Sequence, residues 1–269
     1  MLQRSTEPDW QVGRNDFVAG SLAAALSFFV RAKVVMSDKS NGLCMPLETY
    51  EDIVVVLHAQ GRYAEALELC ENWEAVELAC QTSFRTSQIY AAATYAALND
   101  VSRGISMLKK LIEALSSITE GAARNSTLCK AHVCLSGLYL DCGDAGSAES
   151  QLDLADERAG TCYDFHARAS ADLLAAMHCN RAALYTYRGE WVLAFDQYER
   201  ALENIRDFLR GDGVEHWCTL PILHGLACLC RLQGDEELAV RQGQHTLEIA
   251  CRKIGFAHPH AALYREVWS

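Results

Sequence analysis

Proline is scarce in this sequence, with four residues in 269. A chain so poor in the residue that interrupts helices can run in long ones. Basic charge is also short: 24 Lys and Arg face 35 Asp and Glu, giving a formal net charge of -11 and a pI near 5.3. The pair Lys109-Lys110 is followed at once by the acid-containing "LIEAL", so no basic stripe exists to neutralise a phosphate backbone, and nucleic acid is excluded as the expected partner. No apolar run approaches the roughly 18 to 20 residues that span a bilayer. The opening "MLQRSTEPDW" lacks the basic-then-apolar order of a signal peptide. The expectation is a cytoplasmic protein that does not cross a membrane and meets one only through a complex. Also missing are a C-x-x-C pair and a Gly-rich phosphate loop after a strand, and β-branched runs stop at "IVVV" over 53–56.

What is present is apolar and helical. Half of the residues are hydrophobic, ample for a large core. The 12 cysteines lie in contexts such as "GLACLC" and "LLAAMHCN", which suits reduced, buried thiols. The stretch "RGEWVLAFDQYERAL" over 188–202 reads as a turn followed by a helix. Taking Gly189 as origin, Ala182 and Tyr185 stand seven and four residues before it, and Ala194, Tyr198 and Ala201 stand five, nine and twelve after.

The same offsets recur. From Gly143 they give Ser136, Tyr139, Ala148, Leu152 and Ala155; from Asn99, Ala92, Tyr95, Gly104, Leu108 and Leu111. From Gly61 they give Val54, Leu57, Ala66, Cys70 and Trp73, and from Gly234, Ala227, Cys230, Ala239, Gly243 and Thr246. A sixth unit stands around Gly20, and the outermost two, at Gly20 and Gly234, are degraded. Small residues at these offsets let two antiparallel helices cross closely, while large ones fill the adjoining space. Gly or Asn at the turn accepts the left-handed conformation that ends a helix.

On these residues the chain resembles the tetratricopeptide repeat family, most closely over "CNRAALYTYRGEWVLAFDQYERAL", with "YEDIVVVLHAQGRYAEALEL" and "GLACLCRLQGDEELAV" similar to it. The resemblance implies an all-α fold: a right-handed α-solenoid of about six helical hairpins over residues 10–269, with 1–9 as a tail. The turns at 20, 61, 99, 143, 189 and 234 are spaced by 38 to 46 residues, against the usual 34. The excess predicts longer helices or added loops, with loops expected at "TEGAARNST", "RAGTCYDFH" and "LRGDGVEHW". Pro46 and Pro221 fall where first helices should open, and Pro259 should open a final helix. "IGFAHPHAALY" is similar to the junction in long-repeat members such as kinesin light chain.

The resemblance implies binding rather than catalysis, with other protein subunits as partners. Members that clamp a C-terminal carboxylate carry Lys, Asn or Arg ten and six residues before the turns. Here those offsets give Trp10 and Arg14, Glu51 and Val55, Ile89 and Ala93, Val133 and Gly137, Cys179 and Ala183, and His224 and Cys228; one basic residue in six units does not make the clamp. The groove candidates are therefore Val55, Ile89, Val133, Cys179, Tyr187, His224 and Arg231, either facing a buried peptide or helix or packed against neighbouring helices. The end-surface candidates are Trp10, Phe17, Leu263, Val267 and Trp268, which lack an obvious covering unit. His224, Cys228 and Cys230, with His178-Cys179 or His258-His260, have the types but not the paired spacing of a zinc site, so no metal, cofactor or catalytic residue is expected. The expectation is a non-catalytic scaffold or adaptor in a larger intracellular complex, with a groove receptor as the alternative. "YAAATYAALNDVSRGISMLKKLIEAL" followed by "LSGLYLDCGDAGSAESQL" is similar to subunit 12 of the trafficking protein particle (TRAPP) tethering complex, which would imply vesicle trafficking.

Overall fold

The computed structural model describes residues 47–80, 85–118, 121–160, 171–209 and 216–268. The predicted first unit around Gly20, with Trp10 and Phe17, lies outside them, as does the tail at 1–9. Within them the chain forms α1 (Leu47–Ala59), α2 (Tyr63–Ala79), α3 (Thr86–Ala97), α4 (Val101–Ser116), α5 (Ala122–Asp141) and α6 (Ala145–Gly160). There follow α7 (Ala171–Arg188), α8 (Trp191–Leu209), a 3-10 turn at Trp217–Thr219, α9 (Leu220–Leu232), α10 (Glu236–Lys253) and α11 (Pro259–Trp268). Successive helices pack as antiparallel hairpins, five among the described residues, and α11 closes on α10. The fold is an all-α solenoid with no strand among the described residues.

Each predicted turn is built the same way. Gly61, Asn99, Gly143, Gly189 and Gly234 all have positive φ, between 66° and 87°. The next amide then reaches back five residues, as in Asp100 N–H to the Tyr95 carbonyl at 2.8 Å and Glu190 N–H to that of Tyr185 at 2.9 Å. This closes the helix end and satisfies a carbonyl that would otherwise lack a donor. At three turns the following aspartate also caps the second helix: Asp100, Asp144 and Asp235 accept from the amides of Arg103, Ser147 and Leu238. Asn99 is the one non-glycine with positive φ among the described residues, and asparagine is the side chain that tolerates it best.

The small residues at the repeat offsets meet in the interior. Ala92, Ala148, Ala182, Ala194, Ala227 and Ala239 are all fully buried. Gly104 shows why size matters at this crossing: a Cβ there would lie 2.7 Å from the Ala92 carbonyl oxygen and 3.0 Å from Leu138 Cδ1. A mid-helix Gly→Ala change ordinarily stabilises by about 1 kcal/mol. Here the close obstacle is backbone and cannot swing aside, so Gly104→Ala should destabilise by about 1–3 kcal/mol. A lowered midpoint in urea unfolding with unchanged slope checks this.

The long repeat is taken up mainly by helix. Helices α5, α7, α8 and α10 run 18 to 20 residues. Most of "TEGAARNST" is therefore not a loop: α5 begins at Ala122, and Arg124, Asn125 and Thr127 are buried on it. The Arg124 guanidinium donates to the Leu115 carbonyl at 2.8 Å, and this anchor to the end of α4 is what draws the segment into the helix. "RAGTCYDFH" is helical through Gly160; the rest of it and most of "LRGDGVEHW" lie outside the described residues. Pro221 and Pro259 open α9 and α11 as predicted.

Candidate functional site: a closed groove and an apolar edge

Of the predicted end surface, Trp268 is not a free end. It is 3% exposed, because its indole lies in the space left by Gly243 on α10. Its Nε1–H donates to His224 Nδ1 at 3.0 Å, and the Arg231 guanidinium stacks over the ring at 4.1 Å. Arg231 also donates to the Val267 carbonyl and pairs with Glu236. His224 packs its ring on Tyr264 at 4.6 Å and faces Cys228 Sγ at 3.6 Å, and burial holds its pKa below the usual imidazole value. Two groove candidates, His224 and Arg231, are thus engaged in fastening the last helix. Leu263 remains exposed and Val267 is half-buried.

The solenoid also curls until its described ends meet. His258 stands just before α11, where its Nδ1 accepts the His260 amide at 3.0 Å, and its Nε2–H donates to the His58 carbonyl on α1 at 3.3 Å. These two residues are 200 positions apart. Trp217 and Ile254 from the C-terminal hairpin pack against the α1–α2 core, and Pro259 abuts Gly61. His58 Nε2 is 2.6 Å from Thr94 Oγ1. Since the Thr94 hydroxyl donates to the Tyr90 carbonyl at 2.6 Å, the imidazole is the donor. Burial, helped by nearby His260, pushes the His58 pKa down to about 4, and burial lowers that of His258 as well.

Between the joined ends lies a cavity of about 540 Å³. Its walls are largely apolar, from Val55, Ala93, Ala97, Trp217, Leu220 and Ile254, and its polar lining includes Tyr63, His260 and Asp141. Val55 is the predicted groove residue that opens on this space. Ile89 and Val133 are 5% and 4% exposed and face neighbouring helices. Cys179 is half-buried beside the α7–α8 core, with burial pushing its thiol up to about 12. In place of the missing clamp, Glu51 accepts from Lys130 Nζ at 2.7 Å and the Tyr90 hydroxyl at 2.5 Å, tying the first described hairpin to the third. Among the described residues no His, Cys, Asp or Glu cluster has the geometry to hold a metal.

Tyr187 is the groove candidate that faces solvent, at 66% exposed. It stands at the α7–α8 turn with Val192, at 82%, and the exposed Leu193 and Phe195. Leu98 and Leu232 are exposed at two other turns of the same series. Around the patch, Arg188 is held in a two-point pair by Glu149, with Glu190 also acting on its charge, and Arg200 pairs with Asp196; Glu190 and Glu199 add two further carboxylates there. The repeat frame alone had not singled out Val192, Leu193 and Phe195. The signal was available: three residues after the turn the other units have Ala64, Ser102, Gly146 and Glu237 where this one has Val192.

Family models for the tetratricopeptide repeat match residues 47–72 and 172–252. The chain carries tetratricopeptide repeats. Among solved structures, a Rap protein complexed with Competence and Sporulation Factor is similar over 97% of this chain and 74% of its own, at 11% identity and a TM-score of 0.58. A thermophilic tetratricopeptide repeat protein of Thermus thermophilus matches at 20% identity and a TM-score of 0.49, over 75% of this chain and 95% of its own. A Podosopora anserina putative kinesin light chain structure with nearly identical tetratricopeptide-like repeats matches at 18% identity and 0.44, over 77% and 95%. No curated protein matches. Tetratricopeptide repeats form an interaction fold, and no described helix is long and apolar enough to cross a membrane.

Proposed function

We propose that this tetratricopeptide repeat protein is a non-catalytic scaffold, held in a larger protein assembly through its turn edge. The observation that carries this is the contrast between two surfaces. Of the residues read as groove contacts, Ile89 and Val133 are buried and Cys179, His224 and Arg231 are partly buried against the chain's own helices, while Tyr187, with Val192, Leu193 and Phe195, is left in water at a single turn. Several large apolar side chains exposed together mark an interaction surface more often than isolated ones do. With Glu190 and Glu199 beside the patch, the partner that fits is a protein face with an apolar stripe and a basic flank. The ten cysteines among the described residues are all free, which suits a reducing, cytoplasmic compartment.

The test is affinity isolation of the tagged full chain from its native cells across a salt series, compared with a Val192→Glu, Phe195→Glu double variant. Both positions are exposed, so circular dichroism should be unchanged. The expected result is a set of stoichiometric, salt-resistant companions that the double variant loses. Companions retained by that variant and lost on Val55→Glu would instead make the groove the binding surface and overturn the reading.

A further inference from the structure

The cavity between the joined ends has no part in the edge surface, and its lining is selective in charge. No Lys or Arg lines it among the described residues, so an anionic ligand would enter without a cation to meet it. Several of its polar groups are already used inside the protein: His58 donates to Thr94, the Tyr90 hydroxyl to Glu51, and His258 is bonded through both ring nitrogens. Three remain. The Tyr63 hydroxyl, the His260 imidazole and the Asp141 carboxylate line the cavity, and none of them makes a side-chain hydrogen bond within the described residues. Asp141 brings the formal negative charge, while Tyr63, Tyr90 and Trp217 supply ring surface.

Acceptors and aromatic faces together favour a cation, through charge-assisted hydrogen bonds and attraction to the ring quadrupole. The volume of about 540 Å³ falls within the roughly 300–1,000 Å³ range of small-molecule sites. The net charge of -11 raises the local concentration of cations around the molecule. We infer that this cavity is a binding site for an organic ammonium ion carried on an apolar or aromatic body, its charged head at Asp141 and its body against Trp217 and Ile254.

The same chemistry comes from a free amine or from a lysine side chain of a peptide, and the probes separate the two. Phenethylamine and acetyl-Leu-Lys-Leu-amide would be titrated into the full chain, with 3-phenylpropanoate as the anionic control, read by calorimetry and by tryptophan fluorescence. The expected result is saturable binding of a cationic probe, weakened about tenfold by Asp141→Asn, the loss of one charge-assisted contact. Asp141→Lys should reverse the preference towards 3-phenylpropanoate, and Val192→Glu should change nothing. Binding of phenethylamine alone assigns a free amine; binding of the peptide alone assigns a lysine of a partner. Equal binding of 3-phenylpropanoate to the native chain, indifference to Asp141→Asn, or no binding of either cationic probe overturns the assignment.

Discussion

Replacing Gly243 by valine is expected to release Trp268 and the helix that carries it. A Cβ at position 243 would sit 2.1 Å from Trp268 Cδ2, with two further ring atoms at 2.4 and 2.6 Å, and a fused ring has no flexible tip to move away. The indole would have to leave its site, breaking its bond to His224 and its stack with Arg231. Ejecting a buried tryptophan costs about 3–5 kcal/mol, as judged from core truncations. The sign can be separated from the general cost of a larger side chain by a double-mutant cycle. Gly243→Ala alone should destabilise, whereas in a Trp268→Ala background it should be neutral or stabilise by up to about 1 kcal/mol, the ordinary helix gain. Equilibrium unfolding of the four proteins measures the coupling, and simple additivity would contradict the packing described for Trp268.

The second large effect is on pH. His58 is held neutral, at about 4 against an ordinary 6.5, so the folded chain resists a proton that the unfolded chain accepts. With the folded pKa depressed, the stability is fully present above about pH 6.5 and is lost progressively as pH falls towards 4. That window of about 2.5 units corresponds to about 3 kcal/mol from His58 alone. His258 and His224 are shifted in the same direction by burial and add to the loss. Glu77 works the other way: burial raises its carboxyl, so its share of stability improves on acidification. The expected net result is a melting temperature that falls steadily between about pH 6.5 and 4.5, and that His58→Gln makes markedly flatter. Thermal melts at fixed ionic strength give the comparison. For His258 there is a structural readout too: a second proton would fall on Nδ1, which accepts the His260 amide at the start of α11, a place where a helix disfavours positive charge.

Much of the fold was legible because tetratricopeptide hairpins are short-range objects. A turn residue with positive φ, a small residue seven before and another five after are all fixed by contacts within one hairpin, and Gly61, Asn99, Gly143, Gly189 and Gly234 announced them. What the sequence concealed depends on contacts between distant units. Trp268 looked like an uncovered end because its site, beside Gly243, is formed by other helices and ordered by His224 and Arg231, residues that read as groove lining. "TEGAARNST" reads as a loop from the extra repeat length, but it is helical from Ala122, where Arg124 reaches the end of α4. The union of His58 with His258 has no local signature, since neither residue belongs to the repeat frame.

That union changes what kind of object the solenoid is. An open stack of hairpins holds together by nearest-neighbour terms and frays from either terminus, unit by unit. Here the first described hairpin and the last support one another, so neither can peel away without breaking a seam at the far side of the molecule. The repeat array is thereby turned from a zipper into a clasp, and its hairpins should come apart together rather than in sequence.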